Sequence, residues 1–87
     1  MLVISLKNLR RFIERQTGKK ITIGDMSETT GIHRNLLSRL NNYQTTEAEE
    51  RLLKLIVFAA SQLDTKDITQ ICNHLFIDVD ANLIGAL

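Results

Sequence analysis

Residues 21–43 read ITIGDMSETTGIHRNLLSRLNNY, and this stretch decides the fold. It reads as a helix, a tight turn and a second helix. Thr22 stands as an N-cap, with Asp25 three residues on, where a capping-box partner belongs. Met26 and Thr30 share the inward face of the first helix. Gly31 falls where the chain must turn sharply, and glycine enters left-handed backbone geometry without steric cost. Ile32 follows as an apolar plug between the helices. His33 takes the second N-cap position, and the second helix runs from Arg34 to about Asn41. Leu36, Leu37 and Leu40 recur at helical spacing. Arg34, Asn35, Ser38 and Arg39 point outward between them. A short helix held from one side, with Arg and Asn on the other, carries the chemistry of major-groove readout. Arg suits the guanine edge and Asn the adenine edge.

These residues carry a resemblance. The pattern Met26-Ser27, Thr30-Gly31-Ile32, Arg34, Leu37-Ser38-Arg39-Leu40 resembles the helix-turn-helix of the phage repressor and Cro (Xre) family. That family reads Leu-Ala, three residues, Gly-Val-Ser, then a recognition helix. Met26, Ser27 and Ile32 stand for its Leu, Ala and Val, and Gly31 matches directly. Gly24 inside the first helix, His33 for Ser, and Asn41 and Tyr43 for a frequent Glu and Gly depart from it. The close match covers about a quarter of the chain, with a looser one over Leu6–Gly18 and Lys66–Ile84. The resemblance implies an all-α, lambda-repressor-like domain of five or six helices, with residues 22–42 as its helix-turn-helix. It also implies that the start of the first motif helix approaches the DNA backbone. Lys19, Lys20, Thr22, His33 and Asn42 then become backbone contacts, although a solvated basic loop explains Lys19 and Lys20 equally well. In that family the position of Leu36 is commonly small or polar and faces the groove. Here Leu36 either meets a thymine methyl or packs against Ile32 or a neighbouring helix.

Working outward, Leu2, Val3 and Ile4 form a short apolar start, read as a tail on the core or a strand exchanged between protomers. Ser5 caps a helix whose inward stripe is Leu6, Leu9, Phe12 and Ile13, with Arg10, Arg11 and Arg15 outside and Gly18 as its terminator. After the motif, Thr46 and Glu49 form a capping box, and Glu47 and Glu50 suit the positive end of a helix dipole. Residues 52–63, LLKLIVFAASQL, are apolar nearly all round. One stripe is Leu52, Ile56, Ala59 and Leu63; another is Leu53, Val57 and Ala60, widened by Leu55 and Phe58. Such a helix is buried on more than one side. It is therefore either central to the core or part of a subunit interface. The expectation is that residues 46–63, an addition to the shorter family pattern, form a homodimer interface through Leu53, Val57, Phe58 and Ala60. Asp64 or Thr65 is expected to cap the next helix, with Ile68, Ile71, Cys72 and Leu75 inward and His74 at the surface or helix end. Asp80 is expected to cap a short last helix that buries Leu83 and Ile84.

The bulk properties set limits. Eighty-seven residues make one domain with a single modest core, and small cores often lean on oligomerisation. Cys72 is the one cysteine, so an internal disulfide and a cysteine metal cluster are excluded, which fits a reducing cytoplasm; the resemblance implies a bacterial or phage-encoded protein. The longest apolar run, Leu55 to Ala60, is far short of a membrane span, and the start lacks the pattern of a signal peptide. Proline is absent and β-branched residues do not alternate over any long run. Asp78, Asp80 and Asn82 resemble the start of a calcium loop, but Leu83 stands where its glycine is required. The net charge of +1 hides a split. Residues 1–45 hold Lys7, Arg10, Arg11, Arg15, Lys19, Lys20, Arg34 and Arg39 against Glu14, Asp25 and Glu28, a balance of +5. Residues 46–87 hold Arg51, Lys54 and Lys66 against Glu47, Glu49, Glu50, Asp64, Asp67, Asp78 and Asp80, a balance of −4. The basic half is the half with the motif, the footprint of a protein that meets phosphates on one face.

No catalytic constellation is present: two histidines, one cysteine and no phosphate-cradling glycine loop argue against an enzyme, and no cofactor or metal is expected. The expected function is sequence-specific binding of double-stranded DNA. The resemblance adds the role of a transcriptional repressor, and a dimer would read a near-palindromic operator. The alternative is a helical interaction module, adaptor or antitoxin-like, whose basic half binds an acidic partner. No small-molecule effector domain is expected, so control is expected to act through protein level, partners or proteolysis.

Overall fold

The structure, a computed structural model, describes residues 2–42 and 47–79. Among them the order is β1 (Leu2–Ile4), α1 (Leu6–Thr17), α2 (Ile23–Thr30), α3 (Arg34–Leu40), α4 (Glu49–Leu63), α5 (Ile68–Leu75) and β2 (Phe76–Asp78). The molecule is mainly helical, as the sequence pattern requires, with one small ribbon added. Helices α1, α4 and α5 pack against one another, and the α2–α3 pair docks on α4 and α1. The conformation of the Tyr43 loop, the Thr46 cap and the Asp80–Ile84 helix lie outside the described residues.

Helix α1 starts because the Ser5 hydroxyl accepts the Asn8 N–H at 3.2 Å, and it ends at Gly18 in left-handed geometry. Its residues Leu6, Leu9, Phe12 and Ile13 are buried, at the spacing that lines one helical face. The Ser5 N–H donates to the Leu75 carbonyl at 2.8 Å, and Asn8 Nδ2 donates to the His74 carbonyl at 2.6 Å. These two bonds seat the end of α5 against the start of α1. The chain leaving α5 therefore runs beside the N-terminal segment, and β1 and β2 pair antiparallel, Val3 opposite Ile77 and Ile4 opposite Phe76. The apolar start is thus a strand paired with its own chain, with Val3 and Ile4 buried.

Helix α4 touches α1, α2 and α5, and α1 likewise touches three helices, so the two share the centre of the fold. Leu55, Phe58 and Ala59 are buried, and Leu52, Ile56, Ala60 and Leu63 pack on that core. Leu53 and Val57 are left outside, 53% and 66% exposed. The helix begins at Glu49 behind Ala48, which makes no side-chain cap bond, so the start is later than the capping-box pattern predicts. A bond from Arg51 Nη1 to Glu47 Oε1 at 2.8 Å supports this first turn instead. The next boundary also differs. Asp64 ends α4 in left-handed geometry (φ 50°), a conformation that Asp tolerates better than most residues. The cap of α5 is Asp67, whose Oδ1 accepts the Gln70 N–H at 3.1 Å, while Thr65 Oγ1 accepts the Asp67 N–H. With that start Ile71 and Leu75 are fully buried, Cys72 is half-buried, and Ile68, expected inward, is 46% exposed in the first turn.

Candidate nucleic-acid interface

The motif closes through its own side chains. Asp25 N–H donates to Thr22 Oγ1 at 3.0 Å and Thr22 N–H returns to Asp25 Oδ2 at 3.4 Å, so the capping box is formed. Gly31 holds φ 76° and ends α2. The turn is braced twice: Ser27 Oγ donates to the Ile32 carbonyl at 2.7 Å, and Ile32 N–H donates to Thr30 Oγ1 at 3.2 Å. Ile32 is buried as the plug between the helices. His33 Nδ1 accepts the Asn35 N–H at 3.1 Å and so caps α3. This bond uses the Nδ1 lone pair, so a neutral ring carries its proton on Nε2.

On α3, Leu37 and Leu40 are fully buried. Arg34, Asn35, Ser38 and Arg39 are all exposed, in one row on the opposite side. The helix is therefore held from one face only. Leu36 is half-buried and packs on the core, lining a crevice with Ile32, Arg51 and Lys54 at the start of α4. Lys19, Lys20, Thr22, His33 and Asn42 are exposed at the ends of the motif helices. An alanine Cβ at Gly24 would sit 3.6 Å from Arg34 Nη2, so Arg34 lies over the start of α2.

What positions the row was not visible in the pattern of the motif. Arg10, read as an outward residue, is half-buried and turned in. Its Nε and Nη2 donate to the Ile21 carbonyl at 3.1 and 2.8 Å, and its Nη1 donates to Asn41 Oδ1 at 2.9 Å. One turn on, Glu14 Oε2 accepts the Ile21 N–H at 2.7 Å. Two side chains of α1 thus hold both polar groups of one backbone residue. They fix the segment carrying Lys19 and Lys20, and one of them also grips the end of α3. The signal available in sequence was an Arg and a Glu four apart beside an apolar stripe, with an Asn directly after Leu40.

The expected pairing face divides. Leu53 and Val57 are exposed and line an apolar groove of about 660 Å³ between α2 and α4, whose other walls include Thr29, Thr30 and Lys54. Phe58, expected on that face, is only 5% exposed, and Ala60 is half-buried against the core. At 100° per residue, Phe58 is turned a quarter of a circle from Val57 and forms the groove floor rather than its rim. Away from both faces, His74 Nδ1 is buried without a hydrogen-bond partner, and its ring stands edge-on to Phe12 at 3.6 Å between centroids. Burial lowers its pKa below the ordinary imidazole value, and the charge of Arg15 adds to the effect. Among the described residues no group of three or more His, Cys, Asp or Glu could hold a metal ion, and no helix is long and apolar enough to cross a membrane. Comparison with family models, curated proteins and solved structures found no match to this chain.

Proposed function

We propose that this protein is a sequence-specific binder of double-stranded DNA, of the phage repressor and Cro type, acting as a transcriptional repressor and a dimer. One observation carries the reading. Arg34, Asn35, Ser38 and Arg39 form an exposed row on a short helix whose opposite side, Leu37 and Leu40, is wholly buried. A helix held in this way can enter a major groove with its polar row forward. Arg34 and Arg39 suit guanine, Asn35 suits adenine, and each good pair is worth about 1–3 kcal/mol of discrimination. Lys19, Lys20, Thr22, His33 and Asn42 flank the row and would take phosphates. Their register would be set by the Arg10 and Glu14 bonds to Ile21.

The dimer part rests on Leu53 and Val57. Two exposed apolar residues one turn apart on a groove rim favour burial against a second copy. A two-fold pairing would present two recognition helices to two half-sites and favour a near-palindromic operator. The second reading is an interaction module whose basic half binds an acidic partner, for which the exposed Lys19, Lys20, Arg34 and Arg39 would serve. Binding to random-sequence duplex at low salt separates the two. The DNA reading expects binding that weakens steeply and linearly in log salt. Absence of binding at low salt, with an acidic protein captured instead, would favour the module.

A further inference from the structure

We propose that the outer face of α1 is a second phosphate-binding surface, used by duplex DNA in addition to the α3 row; the inference rests on the DNA-binding reading above. Lys7, Arg11 and Arg15 stand at i, i+4 and i+8, so three cations follow one another along one line of α1 at about 6 Å of rise per step. All three are exposed. Among the described residues none of their side chains has a hydrogen-bond or ion-pair partner. The single acid of α1, Glu14, has its carboxylate committed to the Ile21 N–H at 2.7 Å. Like charges at helical neighbour positions repel, so the face is held at a cost that an anion would relieve.

Apart from the exposed Gln16, the rest of the helix is already used. Leu6, Leu9, Phe12 and Ile13 are buried, Arg10 faces Ile21 and Asn41, and Asn8 reaches the His74 carbonyl. The face left to solvent is therefore cationic and holds no large apolar residue. Protein hot spots are Trp, Tyr and Arg set in well-packed surroundings, and the arginines of this face have no large apolar residue beside them to pack a partner against. A polyanion needs only charge. The location fits as well. Lys7 stands one turn before Arg10 and beside it, and Arg10 grips Asn41 at the end of α3. The cationic line thus adjoins the side of α1 that holds the end of α3, and at its other end Arg15 lies near His74 of α5.

The test is the salt dependence of binding to a long random-sequence duplex. The wild type is compared with K7A/R11A/R15A and with K66E/Q70E, which lowers the charge by the same three units at exposed positions of the acidic half away from α3. Alanine at exposed positions of α1 keeps helix propensity, and circular dichroism checks the fold. Each phosphate contact contributes about 0.9 to the slope of log K against log salt, so the first variant should flatten it by about 2–3 and the second should not. An unchanged slope in K7A/R11A/R15A would overturn the inference, and so would an equal change in K66E/Q70E. Polyglutamate bound as tightly as duplex, and lost in the first variant, would overturn it in favour of an acidic polypeptide. The α3 reading is scored separately on R34A/N35A/R39A. Loss of sequence preference there, with an unchanged slope in K7A/R11A/R15A, would leave the DNA-binding proposal standing and remove only this one.

Discussion

Arg10 and Asn41, thirty-one residues apart, meet through a 2.9 Å bond from Nη1 to Oδ1. The same guanidinium donates twice to the Ile21 carbonyl. A planar fork with fixed donors suits this double task better than a lysine, whose charge is a point on a flexible stem. Arg10 thereby ties α1 to the segment before α2 and to the end of α3. It acts on the presentation of the polar row without belonging to it.

Removing this fork should cost more than an exposed arginine would. Arg10→Met keeps much of the stem and strands the Ile21 carbonyl and Asn41 Oδ1. Hydrogen bonds to a charged group contribute about 1.5–3 kcal/mol, and urea unfolding should show a loss in that range. Arg11→Met, on the exposed side of the same helix, should change stability by less than about 0.5 kcal/mol. Equal effects of the two would contradict the role given to Arg10.

On α4, neighbouring residues should behave oppositely. Val57 is exposed and Phe58 is buried. Val57→Glu should leave the monomer helical and shift sedimentation equilibrium from dimer to monomer. Phe58→Ala should lower stability by about 3–5 kcal/mol whatever the oligomeric state. A clean monomer mass for the wild type at all concentrations, with and without DNA, would remove the dimer.

Leu36→Ser should preserve the helical spectrum and cost about 1 kcal/mol, since the side chain is half-buried. A change in preferred site in this variant would show that its free side meets a base. Outright unfolding would make it a core residue.

The pH dependence should trace to His74. Its folded pKa lies below the ordinary value of 6.5, because burial disfavours the charged ring and Arg15 repels it. The unfolded chain therefore takes up a proton that the folded chain refuses. Stability from this group is full above about pH 6.5 and is lost as pH falls through the folded pKa. Thermal melts from pH 7.5 to 5.5 should fall in the wild type and be flatter in His74→Leu. Identical slopes would contradict the assignment.

Local chemistry makes the motif legible in the sequence. The Thr22–Asp25 box, the Gly31 turn, the His33 cap and the buried Leu37 and Leu40 each depend on residues within a few positions of one another. What was not legible depended on distance or on competition. Arg10 looks like an outward residue until Ile21 and Asn41 are brought beside it. Three-residue strands carry almost no pattern of their own, so the β1–β2 pairing follows only from the seat of α5 on α1. Asp64, Thr65 and Asp67 compete for one cap, and the left-handed turn at Asp64 moves it to Asp67. An apolar face all round α4 did not say which stripe the core would take. The structure gives Phe58 to the core and leaves Leu53 and Val57 outside.

The central claim is that the α3 row reads bases. Its most direct test is selection of a preferred duplex from a random pool, followed by titration of that duplex and a scrambled one with the wild type and N35A/R39A. The wild type should prefer the selected duplex, and the double variant should lose about 1–3 kcal/mol of that preference per base pair no longer read, while keeping most of its affinity for the scrambled duplex. Equal loss on both duplexes, or selection of no preferred sequence by the wild type, would contradict the account.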